Sequence, residues 1–445
     1  MKFGKRWLAL LLAAMLLLGL ACVPAGAAAP AMDGAAFLAQ LDSLGKGADG
    51  TRLVVKTTSN MALPDDFGAQ ARREGYNAWH VLQYADKAAA ERACAQLAQQ
   101  RGVVYVEVSQ RMRLIDPIIS SGGDAIGEEA QPMSWGAPMV QSPQMKQALA
   151  DQTLPDTVIA IMDTGLDFTH PYFVEHADRI TGRFGESQSH YAQDDDGHGT
   201  HVAGIICDNS PDNVKVSPYK VLDNWGSGEW IYIATATCVA ADDGVDVISM
   251  SLGGGRSSVM DDAVAYATGK GVAVVVAAGN NHGWDVSNVS PAGAPQAITV
   301  AAVNKDSTPV YFSNCGMGVD LAAPGGYASN NERDNAINST TPLFTGAYYQ
   351  KWAGTSMACP FVSAAAATIK SLHPDYAPAD IGSALKRTAR RTPSWDSSMY
   401  GAGILDCVPL LNLPALQPPA PKWWAPLPDW VQWLLRYLCF GWLWM

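Results

Sequence analysis

Residues 158–167 read VIAIMDTGLD, an apolar run that ends at an acidic residue and is followed by a glycine. Three further runs, nearly continuous in Val, Ile and Ala, are VDVISM (245–250), VAVVVA (272–277) and AITVA (297–301). Strands covered on both faces have this composition, and they occur in parallel sheets with helices on either side. We therefore predict an α/β domain over residues 135–411, built on a mostly parallel sheet with helices on both faces.

The composition bounds the number of domains and the class of partner. The chain has 445 residues, of which 48% are apolar and only 16% are charged, so a large buried core is available. At roughly 150 residues per domain, this length suggests two or three domains. The formal net charge of -12 argues against nucleic acid as a partner, because phosphate binding needs a basic face.

The first 29 residues have the anatomy of an export signal. Basic residues near the start precede an apolar run over 7–20, and the small residues at 25–27 provide a cleavage site. This order is typical of a secretory signal peptide, so we expect a secreted or cell-envelope-associated protein. A lipidated Cys22 is the alternative, although the residues before it fit a lipoprotein signal poorly.

Residues 30–115 form a small α+β unit. Three strands are predicted, at residues 52–57, 79–84 and 103–108. Asp86 is placed to cap a helix that ends before Gly102, which gives a ββαβ order that carries no chemistry of its own. The next segment, 116–134, is polar with several glycines, the composition expected of an exposed, cleavable linker.

The C-terminal region differs from both units. Residues 412–429 are rich in proline, which predicts a stiff, extended tether. Residues 430–445 are dense in Trp and fall short of the roughly 20 apolar residues that span a bilayer. Because Trp and Tyr prefer the membrane interface, the tail either lies in that interface or packs on the protein or a partner. Both alternatives stay open.

Three motifs carry residues suited to chemistry. Asp163 ends the first apolar run, His198 lies within DGHGTHVAG (196–204), and Ser356 lies within GTSMACP (354–360) at the start of an Ala-rich helix. A serine hydroxyl becomes a useful nucleophile when an imidazole takes its proton, and a carboxylate fixes the imidazole tautomer. A helix N-terminus also offers unpaired N–H groups to a developing oxyanion.

These motifs, in the order Asp, His, Ser, resemble the signatures of the subtilisin (subtilase) family of serine peptidases, and the similarity extends over about residues 135–406. The resemblance implies a subtilisin-like fold in which Asp163, His198 and Ser356 form a catalytic triad that hydrolyses peptide bonds through an acyl-enzyme. It also implies that Asn280 donates to the oxyanion from its side chain.

The resemblance implies a substrate-binding site as well. Two segments resemble backbone strips between which an extended peptide binds as an added strand, and a third resembles the wall beside the oxyanion donor. The residues concerned are Gly226, Ser227, Gly228, Ser251, Leu252, Gly253, Ala277, Ala278 and Gly279. Their small, uncharged side chains favour broad or apolar specificity before the scissile bond. Peptides or proteins are the expected substrates.

The N-terminal unit is similar, chiefly by its position, to the propeptide that assists folding of these enzymes and inhibits them until it is cleaved. We therefore expect it to be an intramolecular inhibitor in an autoprocessed zymogen. No cofactor is required for the chemistry. The acidic run 194–196 is interpreted as a solvated loop, with a bound cation as the alternative. The segment 207–213 is short and lacks the longer loop that often supplies a Ca²⁺ site in the family, so structural Ca²⁺ stays open only elsewhere on the domain. Metal ligands are not assigned, and His201 is interpreted as structural.

Several alternatives remain at this level. The residues 326–352 look like an insertion that borders the cleft, Cys359 is interpreted as a packed thiol in preference to a redox sensor, and the pairing of eight scattered cysteines stays open. Phe361 is expected to alter packing behind the serine. A non-catalytic surface binding protein on the same scaffold is the competing function, and the triad alone does not exclude esterase or transferase chemistry.

Overall fold

The computed structural model describes a subset of the chain, namely residues 50–58, 63, 65–114, 118–119, 134–182, 184, 192–327 and 335–414. The predicted export signal, the Trp-rich tail and nearly all of the linker and the tether lie outside these residues. Across the described ranges, no helix is both long and apolar enough to cross a membrane.

The N-terminal unit is a four-stranded antiparallel sheet with one helix packed on it. Its elements are β1 (Arg52–Thr57), β2 (Ala71–Tyr76), β3 (Trp79–Gln83), α1 (Lys87–Leu97) and β4 (Val103–Val108), with strand order β2-β3-β1-β4. As predicted, Asp86 caps α1, since its carboxylate accepts a hydrogen bond from the Ala89 N–H at 2.7 Å. Leu53, Val55 and Leu97 belong to the core of the unit.

Strand β2 adds to the predicted pattern, so the unit is βββαβ instead of ββαβ. Its sequence, ARREGY, has three charged residues and no apolar alternation, which is why it escapes detection. The strand pairs with β3 alone in this sheet, and edge strands accept charged side chains because one side faces solvent.

The second unit, residues 135–411, contains most of the remaining elements. The segment before it supplies two short strands, β5 (Arg111–Arg113) and β6 (Ile118–Ile119). The first half of the unit contains, in chain order, α2 (Gly136–Val140), α3 (Ser142–Leu149), β7 (Thr157–Asp163), α4 (Pro171–Glu175), α5 (His198–Asp208), β8 (Val214–Lys220), β9 (Ser227–Glu229), α6 (Trp230–Asp242), β10 (Val247–Met250), β11 (Gly254–Gly255) and α7 (Ser258–Gly269). The second half contains β12 (Ala273–Ala277), β13 (Val289–Ser290), β14 (Ile298–Val303), β15 (Leu321–Pro324), β16 (Ile337–Thr340), β17 (Tyr349–Ala353), α8 (Thr355–Leu372), α9 (Pro378–Thr388) and α10 (Ser397–Tyr400).

Six strands form the central sheet, in the order β15-β14-β12-β10-β7-β8, and every neighbouring pair is parallel. The four apolar runs of the sequence are β7, β10, β12 and β14. Alternate side chains of β12 enter two separate cores: Val274 and Val276 pack in one, while Ala273 and Val275 pack in the other. The first core includes residues of α6 and α7 and the second includes residues of α5 and α8, so the predicted parallel sheet with helices on both faces is confirmed.

Candidate active site

Asp163 and His198 meet at the carboxyl end of the sheet. Asp163 is the last residue of β7 and His198 the first residue of α5, and both are fully buried. The imidazole Nδ1 lies 2.7 Å from the Asp163 Oδ1. This contact holds Nδ1 as the protonated nitrogen, which leaves Nε2 able to act as a base. Nε2 has no hydrogen-bond partner within the described part of the chain.

The two motifs approach closely because glycine occupies both facing positions. Gly165 has φ +116°, and a Cβ on Gly199 would lie 2.2 Å from the Gly165 carbonyl oxygen. No side chain fits at that distance. The Gly199 N–H also donates to the Thr164 Oγ1 at 2.9 Å, so backbone contacts set the separation of the acid and the imidazole.

Asp194 organises this region, and the sequence analysis missed its role. It is buried, and its Oδ1 accepts from the Thr164 hydroxyl at 2.8 Å and from the Gly197 N–H at 2.8 Å. Its Oδ2 accepts from the N–H and the hydroxyl of Thr200, at 2.9 and 2.6 Å. Asp194 therefore satisfies N–H groups at the N-terminus of α5 from three residues before the N-cap residue, Gly197, and is not part of a solvated acidic loop. Its position just before a helix start was the available signal.

The charges around His198 favour its protonated form. Burial acts to lower the pKa of His198, but the Asp163 carboxylate, its hydrogen bond and the charges of Asp196 and Asp194 raise that pKa overall. Burial raises the pKa of Asp196 to about 6. An imidazole stabilised in its charged form is suited to receive a proton during a reaction.

Ser356 is the second residue of α8 and is completely buried. Its hydroxyl donates to the Ser251 carbonyl at 3.2 Å, and the Ser251 hydroxyl donates back to the Ser356 carbonyl at 2.8 Å. This reciprocal pair joins the segment after β10 to the first turn of α8.

Asn280 is oriented by Thr355. The Asn280 Oδ1 accepts from both the Thr355 N–H at 3.0 Å and the Thr355 hydroxyl at 2.9 Å. Because the oxygen is fixed in this way, the Nδ2 donor lies on the other side, 3.1 Å from where a Cβ on Gly354 would stand. Asn314 supports the same loop, since its Nδ2 donates to the Ala278 carbonyl at 2.9 Å. Its contribution was not predicted from the sequence.

The two predicted strips lie on either side of strand β5. Arg111, Met112 and Arg113 pair antiparallel with Glu229, Gly228 and Ser227 of β9. The next residue, Leu114, donates its N–H to the Gly226 carbonyl at 2.6 Å and forms a bridge with Leu252. Part of the N-terminal region therefore occupies the place where the resemblance puts an extended substrate.

A cavity of about 280 Å³ adjoins Leu114. Its lining residues include Gly253, Gly279 and Asn280, and Trp284 and Val289 complete part of the wall. Val289 precedes the cis peptide bond Ser290–Pro291. Of the nine predicted substrate-binding residues, Ala277 and Ala278 lie in the buried cores behind this wall.

The hairpin β16–β17 borders the site and places Trp352 beside His198 and His201. Trp352 stacks on His201 with ring centroids 4.7 Å apart, and its centroid lies 6.3 Å from that of His198. Burial lowers the pKa of His201 to about 3, so this imidazole is neutral and structural. Of the predicted insertion, residues 328–334 lie outside the described ranges, and the remainder walls the region beside His198.

Behind Ser356 the packing is tight. Burial raises the pKa of Cys359 to about 11, which makes its thiol unreactive. A Cβ on Gly136 would lie 2.5 Å from the Phe361 ring, so α2 approaches α8 closely only because residue 136 is glycine. The described cysteines, six in number, are all free thiols.

No group of three or more His, Cys, Asp or Glu side chains suited to a metal ion occurs among the residues that the structure describes. The acidic run 194–196 is accounted for by protein contacts: Asp194 satisfies N–H groups at the N-terminus of α5, Asp196 Oδ1 accepts from the His198 N–H at 3.1 Å, and Asp195 pairs with Lys220 at 2.6 Å.

Comparison with known proteins agrees with this geometry. The model of the subtilase family matches residues 155–403. Subtilisin E of Bacillus subtilis is 34% identical over 340 residues, which cover 73% of this chain and 80% of that protein. An alkaline protease of Shouchella clausii is 34% identical over 307 residues, 66% of this chain and 74% of its own.

Solved structures give the same result. A protease from Pseudoalteromonas arctica matches with a TM-score of 0.53 and 28% identity, covering 64% of this chain and 95% of that one. A cold-adapted subtilisin-like serine proteinase matches with a TM-score of 0.50 and 29% identity, covering 57% and 89%. The chain belongs to the subtilase family and is a serine endopeptidase that acts on peptides or proteins.

Proposed function

We propose that Asp163, His198 and Ser356 are the catalytic triad of this endopeptidase and that the chain is the precursor of an exported enzyme. Ser356 attacks the scissile carbonyl while His198 Nε2 removes its proton. His198 then protonates the leaving amine, and water hydrolyses the acyl-enzyme by the same route in reverse. Asp163 holds the imidazole and stabilises its charged form, a role supported by the buried 2.7 Å contact.

The oxyanion is proposed to receive hydrogen bonds from Asn280 Nδ2 and from the backbone N–H of Ser356. Thr355 supports this role because it fixes the Asn280 amide with two hydrogen bonds, at 3.0 and 2.9 Å. A donor that is oriented before the reaction costs no reorganisation when the charge develops.

The N-terminal unit is proposed to inhibit the enzyme until it is removed. The observation that carries this proposal is the seating of Arg111–Arg113 as a strand on β9, with Leu114 bridged to Leu252. A strand added at this place uses the backbone contacts that a peptide substrate needs, so substrate and inhibitor exclude each other.

The sheet of the unit also covers two helices of the catalytic domain. Glu107 accepts from the Ser258 N–H and the Ser257 hydroxyl, both at 2.6 Å, at the start of α7. The Tyr76 hydroxyl donates to Asp242 at 3.0 Å on α6, and the Tyr105 hydroxyl donates to an α7 carboxylate. These contacts support a docked inhibitor because each lies between the unit and the enzyme.

We propose Ile115–Asp116 as the bond that is cut, which places the unit at residues 30–115 and the linker at 116–134. Leu114, the last described residue before this bond, is bridged to Leu252, and the neighbouring Ser251 exchanges hydrogen bonds with Ser356. On the other side, β6 pairs antiparallel with β17, with Ile118 opposite Ala353. Ala353 lies three residues before Ser356 in the chain, so described segments on both sides of the proposed bond are held close to Ser356.

The remaining assignments follow the sequence. Residues 1–29 are proposed as a signal peptide, 135–411 as the catalytic domain, 412–429 as a tether and 430–445 as a tail that contacts the membrane interface or packs on protein. The enzyme is proposed to be secreted or to stay at the cell envelope. No cofactor takes part in the proposed chemistry, and Ca²⁺, if bound, would have a structural role.

The competing function, a non-catalytic binding protein on this scaffold, is not favoured. The buried Asp163–His198 contact and the oriented Asn280 argue against it, because a binding protein needs neither. Esterase or transferase chemistry would use the same triad, but the backbone strips that hold β5 as a strand favour an extended peptide.

The decisive experiment compares the precursor with its Ser356→Ala variant, each produced in a protease-deficient host. We expect the unchanged chain to process itself to a form with Asp116 as N-terminal residue, and the variant to accumulate with its N-terminal unit attached. Normal maturation of the purified variant would contradict autoprocessing by Ser356. A different N-terminus with an intact requirement for Ser356 would contradict only the proposed bond.

A further inference from the structure

An acidic side chain lies at the far end of the cleft from Ser356. Asp223 follows β8, and only 6% of its side chain is exposed. Arg111 of β5 binds it: the guanidinium Nη2 lies 2.6 Å from the Asp223 Oδ2, and the guanidinium Nε donates to the Ser227 hydroxyl at 3.2 Å. A basic residue in the strand that occupies the cleft is therefore recognised by a buried carboxylate.

The two oxygens of Asp223 have different partners. Oδ1 accepts from the N–H groups of Trp225 and Ser227, at 3.1 and 3.0 Å, and so shapes the turn that leads into β9. Oδ2 accepts from Arg111. The turn accounts for Oδ1 of Asp223. It does not explain why the side chain is a charged carboxylate, or why Oδ2 faces strand β5.

We infer that Asp223 is a specificity-determining residue that selects peptide substrates with Arg or Lys at the position that Arg111 occupies. With the proposed cut after residue 115, this is the fifth residue before the scissile bond. The inference rests on the proposed function, in which a substrate replaces β5 on the same backbone strip.

The Arg111–Asp223 ion pair is expected to contribute to binding because both side chains are largely shielded from water when β5 is seated. An ion pair between exposed side chains contributes little, but here the carboxylate is nearly buried and the arginine side chain is only 26% exposed. A buried carboxylate that loses its partner is unfavourable. A substrate strand that covers Asp223 without supplying a cation is therefore disfavoured, and the charge-assisted, two-point contact favours Arg over Lys.

The neighbouring positions of β5 provide an internal control. Met112 and Leu114 are buried and belong to the core cluster that contains Trp230 and Leu252. Arg113, by contrast, has an exposed side chain. Side chains alternate along a strand, so position 111 shares the side of position 113 but has a built partner.

The experiment uses the processed enzyme and four fluorogenic peptides based on residues 110–119 (QRMRLIDPII), with Arg, Lys, Gln or Glu at position 111. We expect kcat/KM to fall in that order, by about tenfold between Arg and Gln, the loss expected when one charge-assisted hydrogen bond is removed. The change should lie mainly in KM, because the contact is made equally in the ground and transition states. It should weaken at high salt.

The matched variant is Asp223→Asn, which keeps Oδ1 for the turn and removes the charge at Oδ2. We expect it to cleave the Arg and Gln peptides about equally. A second series, with Arg or Gln at position 113, should show little preference in either enzyme. Equal cleavage of all four position-111 peptides by the unmodified enzyme overturns the inference and leaves the proposed function standing. An undiminished Arg preference in Asp223→Asn overturns it as well.

If Asp223→Asn fails to fold, the four-peptide series on the unmodified enzyme still tests the inference. A site without a negative charge would not cleave the Gln peptide with a higher kcat/KM than the Glu peptide. Failure of the unmodified enzyme to cleave any of these peptides contradicts the proposed function itself, and with it this inference.

Discussion

Arg179 provides the sharpest test of how the helix that carries His198 is held. Its side chain is 2% exposed, and its guanidinium is surrounded by oxygen atoms of the segment that joins α5 to β8. Nη1 donates to the Cys207 carbonyl at 2.7 Å, Nε to the Val214 carbonyl at 3.1 Å, and Nη2 to the Ser210 hydroxyl at 2.8 Å and the Pro211 carbonyl at 3.2 Å. The segment thus packs around an internal cation.

Replacing Arg179 with Met removes that cation and fills much of the same volume. Three carbonyl oxygens lose their donor, and a buried acceptor without a partner costs about 1–3 kcal/mol. Since several acceptors are affected at once, we expect a total loss of unfolding free energy of about 3–5 kcal/mol. Arg179→Lys keeps the charge but has fewer donors, so it should lie between Met and the unmodified protein.

The measurement is the free energy of unfolding in urea, made on a Ser356→Ala background so that autolysis does not interfere. Arg387→Met is the control, because that arginine is exposed on α9 and its loss should cost less than about 0.5 kcal/mol. A loss below about 1 kcal/mol for Arg179→Met, or a loss equal to that of the control, would refute the internal role of the guanidinium.

Three further predictions concern the site. Asn280→Asp keeps the oxygen that binds Thr355 but loses the donor, so kcat should fall by about 100- to 1,000-fold, a range taken from a related subtilisin; an unchanged kcat would exclude Asn280 from the oxyanion hole. Gly199→Ala places a Cβ 2.2 Å from a backbone oxygen and should lower kcat/KM by on the order of 100-fold through displacement of the imidazole; full activity would contradict the close approach. Asp196→Asn removes a charge that raises the pKa of His198. Because His198 must be neutral to act as base, the acidic limb of the kcat/KM profile should then move to lower pH, and an unmoved limb would count against this electrostatic role.

The sequence predicts the fold well where a local pattern has one physical meaning. The apolar runs that became β7, β10, β12 and β14 are buried on both faces, and only strands in a covered sheet satisfy that composition. The three motifs are similarly local, because Asp163 ends a strand, His198 lies between glycines at a helix start and Ser356 lies in the first turn of a helix. The contact of Asp163 with His198 joins elements that a parallel sheet brings to one edge.

What the sequence did not predict depends on contacts between distant segments. Strand β2 is defined by its pairing with β3 and has no pattern of its own. Asp194 looks like a member of an exposed acidic run until its hydrogen bonds to Thr164 and Thr200 are seen. The role of Asp223 is apparent only in the folded chain, where Arg111, 112 residues away in the sequence, lies beside it.

The central claim is that Ser356 is an activated nucleophile, and labelling with a fluorophosphonate probe tests it most directly. We expect the processed enzyme to react in a one-to-one ratio, with the label on the peptide that contains Ser356. His198→Ala should react far more slowly and Ser356→Ala not at all. Failure of the processed, folded enzyme to react, or an equal rate in His198→Ala, would contradict the account.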